Sequence, residues 1–426
     1  MVMIAPRAGV YRAAKARTAY YWWSRPSRFV LFLLLPIYLY CGSMGEAFYA
    51  LYGHRGKYLV DECFILGAIA LLAFVVGAAC TEGGAVRQRA PGWVRPGRAR
   101  TALAALYFAV LGAYAIFLYP ITLRPGIVLE HLRGSHETMV TLRLILNRVP
   151  GVTSFVALQS LCIVLSLHYR QLTGQRLPGV YRVLFVGVVI ACVLRAWLWS
   201  ERLALIEILV PAAIARYAFI QETRSHLASC LMNLAPVAGF AIIFVLFCIG
   251  EYSRSWQYYK DYLPYTFLEF SWNRFIGYFA TALQNGALAY KVYPTEYFPF
   301  MTASWFYKIP FFKSETEFDQ GEFLAVYLNP EFNNMSGVFM AMRDFGPVLG
   351  IACWILIGML SGSIYRSFAT GQLPGLLLYP VWFVGIAEIL RVFYWGDSRF
   401  FPVLLIGPLV VYYLGASMRI VQRRVL

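Results

Sequence analysis

Long, uninterrupted runs of apolar residues constrain this chain more than any other feature of its sequence. An α-helix of about 17–20 apolar residues can cross a hydrocarbon core of roughly 30 Å. Lipid offers no partners to backbone N–H and C=O groups, so helices are the expected structure. The runs lie at residues 29–45, 64–80, 101–119, 151–168, 182–199, 203–219, 234–250, 346–365, 374–390 and 400–416. The sequence therefore predicts an all-α, polytopic integral membrane protein with about ten transmembrane helices.

The distribution of charge predicts the orientation of these helices. The net charge is +16. With the N-terminus inside, the predicted cytoplasmic segments contain 20 Lys and Arg residues but only two acidic residues. Such an excess in short cytoplasmic loops is typical of helical membrane proteins. We therefore expect both termini in the cytoplasm, the lipid bilayer as a partner, and no nucleic acid.

The segments between the runs divide the chain into four parts. Residues 1–28 form a basic cytoplasmic segment, and residues 29–250 contain the first seven helices with an interfacial segment at 120–150. Residues 251–336 form a large outer loop, and residues 337–426 contain the last three helices and the C-terminus. The largest cytoplasmic loop has about 20 residues, too few for the core of a nucleotide-binding domain. Chemistry or recognition is therefore expected in the membrane or outside it.

The predicted outer loop is rich in aromatic residues. In residues 251–336, 26 of 86 positions are Phe, Tyr or Trp, against 17% of the whole chain. Aromatic side chains form belts at membrane surfaces. They can also stack on the apolar faces of sugars, and both interpretations remain open here.

Ionisable residues cluster at the predicted outer ends of the helices, where they mark sites or structural ion pairs. The short turn "WSERLALIE" and the helix before it supply Arg195, Glu201, Arg202 and Glu207. The stretch "SWNRFIGYFATALQNGALAY" supplies Arg274 and Tyr278, which share a helical face, and Asn285. An ordinary interfacial helix with a snorkelling arginine is the alternative for this second stretch. In "SETEFDQGEF", Asp319 is a candidate base, although most acids in such a loop are simply solvated.

Two further clusters lie near the last predicted helices. "PEFNNMSGVFMAMRDFGPVLG" contains Asn333, Asn334, Arg343 and Asp344. An acid in the first turn of a helix is stabilised by the helix dipole, which is the alternative explanation of Asp344. The asparagines need hydrogen-bond partners in such apolar surroundings.

The final outer turn, "EILRVFYWGDSRFF", contains Glu388, Arg391, Asp397 and Arg399. Glu388 and Arg391 are three residues apart, so a structural pair is an alternative for them. Arginine recurs at these helix ends, and its planar guanidinium suits pyrophosphate because it donates two charge-assisted hydrogen bonds.

The second half of the chain resembles a known family. The segments "WSERLALIEILVP", "SWNRFIGYFATALQNGALAYKVYP" and "YLNPEFNNMSGVFMAMRDFGPVLGIACWILIGMLSGSIYR" are similar to those of bacterial oligosaccharide repeat-unit polymerases, the Wzy-type O-antigen and exopolysaccharide polymerases. The resemblance implies a multi-pass protein of the bacterial inner membrane. It also implies a metal-independent glycosyltransferase without a cofactor, which joins undecaprenyl-pyrophosphate-linked oligosaccharides at the periplasmic face. A chain-length regulator and a flippase are the expected protein partners.

The resemblance also implies roles for residues. The expected catalytic residues are Arg202, Arg343, Asp319 and Asp344, with the two aspartates as candidate bases. The expected substrate-binding residues are Arg195, Glu201, Arg274, Tyr278, Asn285, Asn333, Asn334, Arg391 and Arg399. Related ligases use an outer-loop histidine, whereas the outer-loop histidines here, at positions 54, 131 and 136, lie outside the similar half. An O-antigen ligase, another lipid-linked glycosyltransferase, a transporter or flippase, and a non-enzymatic scaffold are the alternatives.

Overall fold

A computed structural model of the chain consists of helices and connecting segments, with no strand in the part that it describes. That part is residues 21–52, 54, 56–83, 94–132, 141–142, 144–146, 149, 151–199, 202–217, 226–262, 264–295, 297–308, 323, 326 and 332–423. Its longer helices are α1 (Pro26–Ser43), α2 (Asp61–Glu82), α3 (Pro96–Thr122), α4 (Gln159–Thr173), α5 (Gly179–Leu198), α6 (Arg202–Tyr217), α7 (Ala235–Glu251), α8 (Phe267–Val292), α9 (Gly337–Ala369), α10 (Leu373–Glu388) and α11 (Phe401–Arg423).

The prediction of an all-helical chain is confirmed for these residues, and each predicted apolar run overlaps one of the helices. Five of them, α1, α2, α3, α5 and α9, are long and apolar enough to cross a membrane. Helices α7 and α10 and the segment Phe401–Ala416 of α11 are also apolar but shorter. Large apolar side chains such as Phe108, Val183 and Val348 are exposed on the helices. On α5, the exposed residues Val183, Val186, Ile190 and Val193 follow one another at intervals of three or four and form an apolar stripe. Exposed apolar surface of this kind is rare on soluble monomers and fits contact with lipid.

Helix α8 lies within the segment that the sequence assigns to an outer loop. It begins with a capping box, in which Thr266 accepts a hydrogen bond from the backbone of Glu269 and Glu269 accepts one from Thr266. Most of its side chains between residues 274 and 289 are buried. Gln284 binds the segment before α2, accepting from the Leu59 backbone N–H and donating to the Gly56 carbonyl. This helix is therefore an integral part of the bundle.

Helix α9 is not one straight helix, because the chain reverses direction at Gly346. This residue has φ 77° and ψ 171°, a backbone conformation essentially restricted to glycine. Trp354 Nε1 donates to the Val338 carbonyl at 3.0 Å, although 16 residues of straight helix would separate these residues by about 24 Å. Likewise, a Cβ atom on Gly350 would lie 2.6 Å from Met342 Cα. Residues 337–345 thus form a short helix folded back on residues 347–369, an arrangement that we call the Gly346 hairpin.

Glycines let the hairpin pack closely on α2. A Cβ atom on Gly358 would collide with the Phe74 carbonyl oxygen, and one on Gly77 would collide with the Ile355 carbonyl oxygen. Small residues at a crossing point allow two backbones to approach, which is the main route to van der Waals contact between helices in lipid. The hairpin is therefore anchored against α2 along the part of α9 that follows Gly346.

Candidate functional site

The Gly346 hairpin carries a buried arginine–aspartate pair at the end of its short helix. Arg343 Nη1 lies 3.1 Å from Asp344 Oδ1, and Asp344 is 0% exposed. The Asp344 carboxylate also accepts hydrogen bonds from Met301 N–H, Thr302 N–H and the Thr302 hydroxyl at 2.7–2.8 Å. A carboxylate with this many donors is well satisfied in a dry environment. Asp344 therefore fastens the segment around residue 301 to the hairpin.

Arg274 on α8 is buried in an ion pair and an aromatic cage. Its Nε lies 2.8 Å from Oε2 of Glu251, the last residue of α7. The rings of Tyr259, Phe270 and Phe332 each lie within 5.6 Å of its guanidinium carbon. Aromatic faces attract a desolvated cation, so this cage and Glu251 together offset the cost of burying Arg274.

Asn285 holds the segment that leads into the hairpin. Its amide group donates to the carbonyl oxygens of Phe332 and Asn334, at 2.7 and 2.9 Å. The backbone N–H of Ser336 donates to the Ala282 carbonyl, also on α8. Between these fixed points, the side chain of Asn333 is exposed. The structure thus places Asn333 and Asn334 in a segment whose backbone is held by α8. Their predicted roles in ordering this loop and in binding sugar stay predictions.

The turn between α10 and α11, residues 388–400, presents two arginines that are only partly buried. Arg391 is 18% exposed, and its Nη1 donates to both carboxylate oxygens of Glu388 at 2.9 and 3.2 Å. Arg399 is 28% exposed, and its Nη1 lies 3.7 Å from Oε1 of Glu207 on α6. We call these residues the arginine turn.

Glu207 itself lies deep between helices. It is 1% exposed. Oε1 accepts from the Tyr394 hydroxyl at 2.9 Å, and Oε2 accepts from Gln159 Nε2 at 3.3 Å. The Tyr114 hydroxyl donates to Gln159 Oε1 at 2.6 Å. A hydrogen-bonded chain thus crosses the bundle from α3 to the arginine turn.

Contacts of the Tyr278 ring join the arginine turn to α8, and a hydrogen bond to a backbone carbonyl joins the turn to the segment that Asp344 holds. The Tyr278 ring lies 5.9 Å from the Arg391 guanidinium carbon and 5.5 Å from the Phe332 ring. Ser304 lies two residues after Thr302, which binds Asp344. Its hydroxyl donates a hydrogen bond to the Gly396 carbonyl in the arginine turn. Direct contacts or contacts through Phe332 therefore link Arg274, Tyr278, Asn285, Asn334 and Arg391. Asp344 and residues 302–304 connect Arg343 to Gly396, in the turn that also contains Arg399.

The remaining predicted residues are placed less completely. Arg195 is buried on α5 with its guanidinium 5.9 Å from the Phe117 ring, and both Arg195 and Glu207 lie near Tyr114. Arg202 begins α6, but its side chain lies outside the described residues. Glu201 and Asp319 also lie outside them. Their predicted roles stay predictions.

The sequence indicated Glu207 and Glu388 as members of ionisable clusters and offered Glu388–Arg391 as a structural pair, which the structure contains, but it gave neither glutamate a role in the site and did not single out Glu251. Glu251 and Glu388 are the last residues of α7 and α10, and Glu207 is held by residues far away in sequence. One signal was available for the first two, because each closes a run of apolar residues with a single acid. A charge in that position is costly without a partner.

The helix lengths indicate that the arginine turn is recessed. Helix α10, which leads into the turn, contains 16 residues, which span about 24 Å, whereas a hydrocarbon core is roughly 30 Å thick. Ser336 Oγ contacts the Ile389 carbonyl, and Trp354, well along α9, lies 5.8 Å from Phe393. The turn therefore starts below the level of Gly346.

The arrangement offers cationic hydrogen-bond donors beside aromatic rings. Arg391 and Arg399 each keep an exposed fraction, whereas Arg274 and Arg343 are almost fully covered. Guanidinium groups in a partly dry recess favour phosphate or carboxylate ligands. In the described part of the chain, no three His, Cys, Asp or Glu side chains are grouped to hold a metal ion.

Comparisons with protein-family models, curated proteins and solved structures give no match for this chain.

Proposed function

We propose that this chain is a glycosyltransferase that polymerises undecaprenyl-pyrophosphate-linked oligosaccharide repeat units at the periplasmic face of the bacterial inner membrane. One observation supports the proposal above the others: the arginine turn combines two partly exposed guanidinium groups, an adjacent tyrosine and a recessed position. A lipid-linked pyrophosphate would bring its charge to this depth while its hydrocarbon tail stays in lipid.

The reaction requires little more than charge stabilisation and removal of a proton. A hydroxyl of the acceptor sugar attacks the anomeric carbon of the donor glycan, and the bond from that carbon to the pyrophosphate oxygen breaks. The electron pair leaves with the lipid pyrophosphate. Arg391 and Arg399 would stabilise the charge that develops on this leaving group. A carboxylate would accept the hydroxyl proton.

The hydrogen bonds of Asp344 bear on its candidate role as a base. Within the described residues, the hydrogen bonds that Asp344 accepts come from Arg343 and residues 301–302. Lone pairs occupied in this way are poorly available for a proton from substrate. We therefore assign Asp344 a holding role in this proposal and retain Asp319 as the candidate base.

Glycan chain length in cells tests the proposal. The variants Arg391→Ala and Arg399→Ala are expressed at matched levels in cells that lack the native protein. The matched control is Arg366→Ala, a partly exposed arginine in the last turn of α9, far along the helix from Gly346. We expect long polymer to be lost in the first two strains and kept in the third, while single lipid-linked units persist. Normal long chains in all three strains would exclude the arginine turn as the site.

A transporter or flippase is a second candidate, and the Gly346 hairpin favours it. Broken helices at the depth of the bilayer are characteristic of secondary transporters. The same cells separate the two functions, because a flippase defect removes single repeat units from the periplasmic face. A polymerase defect leaves those units in place and prevents only their joining.

A further inference from the structure

Positive charge collects where α3 begins, α4 ends and α5 begins. Residues 94–100 and 170–182, which contain these three helix ends, hold six arginines and no acidic residue. The backbone N–H of Val94 donates to the Leu172 carbonyl, and the Tyr181 hydroxyl donates to the Arg100 carbonyl at 3.1 Å. These contacts place the three helix ends side by side, at the end of the bundle that the sequence predicts to be cytoplasmic.

The arginines of this basic end differ in how far the protein uses them. Arg98 Nη1 donates to the Tyr413 carbonyl at 3.0 Å, and its guanidinium carbon lies 5.4 Å from the Tyr413 ring, so Arg98 ties α3 to α11. Arg100 and Arg182 are exposed, and in the part of the chain that the structure describes neither pairs with an acid. Two adjacent helices therefore present guanidinium groups whose charge no described acid balances.

Exposed apolar surface continues directly from these two arginines. On α5, the apolar stripe begins at Val183, next to Arg182, and runs along the helix to Val193. On α3, the exposed side chain one turn after Arg100 is Ala104, and the one two turns after it is Phe108, which is 84% exposed. Because α3 and α5 pack against each other, both surfaces run from the charged end along neighbouring helices.

We infer that the beginnings of α3 and α5 form a binding site for one anionic phospholipid. Its phosphate is held by Arg100 and Arg182, because guanidinium groups donate charge-assisted hydrogen bonds to phosphate oxygens. Its acyl chains lie along the exposed apolar surface of the two helices. A free phosphate would use only the arginines and a neutral lipid mainly the apolar surface, whereas an anionic phospholipid uses both. The site does not depend on the proposed function.

Native mass spectrometry of the full-length protein, purified in a neutral detergent and titrated with phosphatidylglycerol, tests the inference. Such a micelle carries no anionic surface, so the general attraction of basic residues to a charged membrane does not contribute. The variants are Arg100→Gln, Arg182→Gln and the two together. The matched control is Arg28→Gln, which removes the same charge from an exposed arginine of α1, a helix that packs on α2 and α9.

We expect the wild type and Arg28→Gln to retain one phosphatidylglycerol with equal affinity. Each single variant at the site should bind it about fivefold less tightly, and the double variant less tightly still. Added phosphatidylglycerol should also raise the unfolding temperature of the wild type and the control more than that of the double variant. An equal loss of affinity in Arg28→Gln, or none in the double variant, would overturn the inference.

Two further probes identify the chemistry of the ligand. Phosphatidylcholine has the same phosphate and acyl chains but no net charge, and we expect it not to be retained at the concentration at which phosphatidylglycerol is. Excess inorganic phosphate should not displace the bound lipid. Equal retention of the neutral lipid, or displacement by phosphate alone, would overturn the inference. If one arginine variant does not fold, the other, on a separate helix, gives the same test.

Discussion

Burial of charged residues is tolerated in this molecule because each buried charge has specific partners. Asp344 shows this most clearly, with donors from Arg343, Met301 and Thr302 around one carboxylate. Removing one member of such a set leaves the others buried without a partner. The resulting loss of folding free energy is larger than the net stabilisation that the intact set provides.

The first prediction concerns Asp344→Asn. The amide keeps a similar shape, but it removes the charge beside Arg343 and turns an NH₂ group toward backbone donors. We expect the free energy of unfolding to fall by about 3–5 kcal/mol, measured by denaturant titration of the detergent-purified protein. The control is Asp261→Asn, the same change at an exposed side chain, for which the change in the free energy of unfolding is expected to stay within about 0.5 kcal/mol. Equal effects of the two changes would contradict a holding role for Asp344.

The second prediction concerns His54, which is buried before α2 and whose ring nitrogens have no hydrogen-bond partner among the residues that the structure describes. Burial lowers the pKa of His54 from 6.5 to about 4. The unfolded chain therefore takes up a proton first as the pH falls. Above pH 6.5 this titration does not affect the free energy of unfolding, which falls progressively as the pH drops from 6.5 toward 4, by about 3 kcal/mol in all.

Unfolding of the wild type and of His54→Leu, followed from pH 7.5 to pH 4.5, checks this prediction. The wild type is expected to lose more stability than the variant across that range. Parallel pH profiles would show that His54 does not titrate between the two states in this way.

At the scale of elements, the Gly346 hairpin is the feature on which the site depends. It places the Arg343–Asp344 pair at one end of a short helix and the Asn333 segment at the other. Trp354 joins the two arms through its hydrogen bond to the Val338 carbonyl. Because Gly346 has a positive φ and Pro347 follows it, the chain cannot continue as a helix at this point.

The third prediction follows from that backbone conformation. Gly346→Ala introduces a Cβ atom where φ is 77° and ψ is 171°, which costs about 1–3 kcal/mol. The nearest side chain, Thr295, would lie 3.7 Å from that Cβ, so the cost comes from the backbone and not from a collision.

The matched control is Gly112→Ala in α3, where a Cβ atom would meet nothing within 4 Å. A helical glycine in open space gains about 0.5–1 kcal/mol on this change. Thermal unfolding of both variants should therefore shift in opposite directions. Stabilisation by Gly346→Ala would contradict the hairpin.

The sequence predicts the helices well and the hairpin poorly, for a physical reason. Apolar runs are local signals, so the positions of α2, α3 and α5 follow from them directly. The dipeptide Gly346-Pro347 marks an interruption, but it does not indicate that the chain folds back. Pairs such as Glu207–Arg399 and Glu251–Arg274 depend on tertiary packing between distant or separately aligned helices. No periodicity in the sequence encodes such pairs.

At the scale of the whole molecule, α10 is shorter than a membrane-crossing helix and ends on the buried Glu388, and the buried Glu251 lies where α7 continues into the helical residues 252–259. Each of these glutamates binds an arginine from a neighbouring segment. Polar groups at such a depth are costly and are usually associated with a functional site. Under the proposed function, the site would open toward the headgroup of a lipid-linked substrate.

The measurement that tests the central claim most directly is glycan elongation by the purified full-length protein in vesicles. Lipid-linked repeat units are supplied without nucleotide and in the presence of a metal chelator, and the products are separated by length. We expect a ladder of longer glycans on the lipid carrier, with release of one lipid pyrophosphate for each unit joined. A folded protein that produces no ladder, but moves labelled lipid-linked units across the vesicle membrane, would contradict the account and establish transport instead.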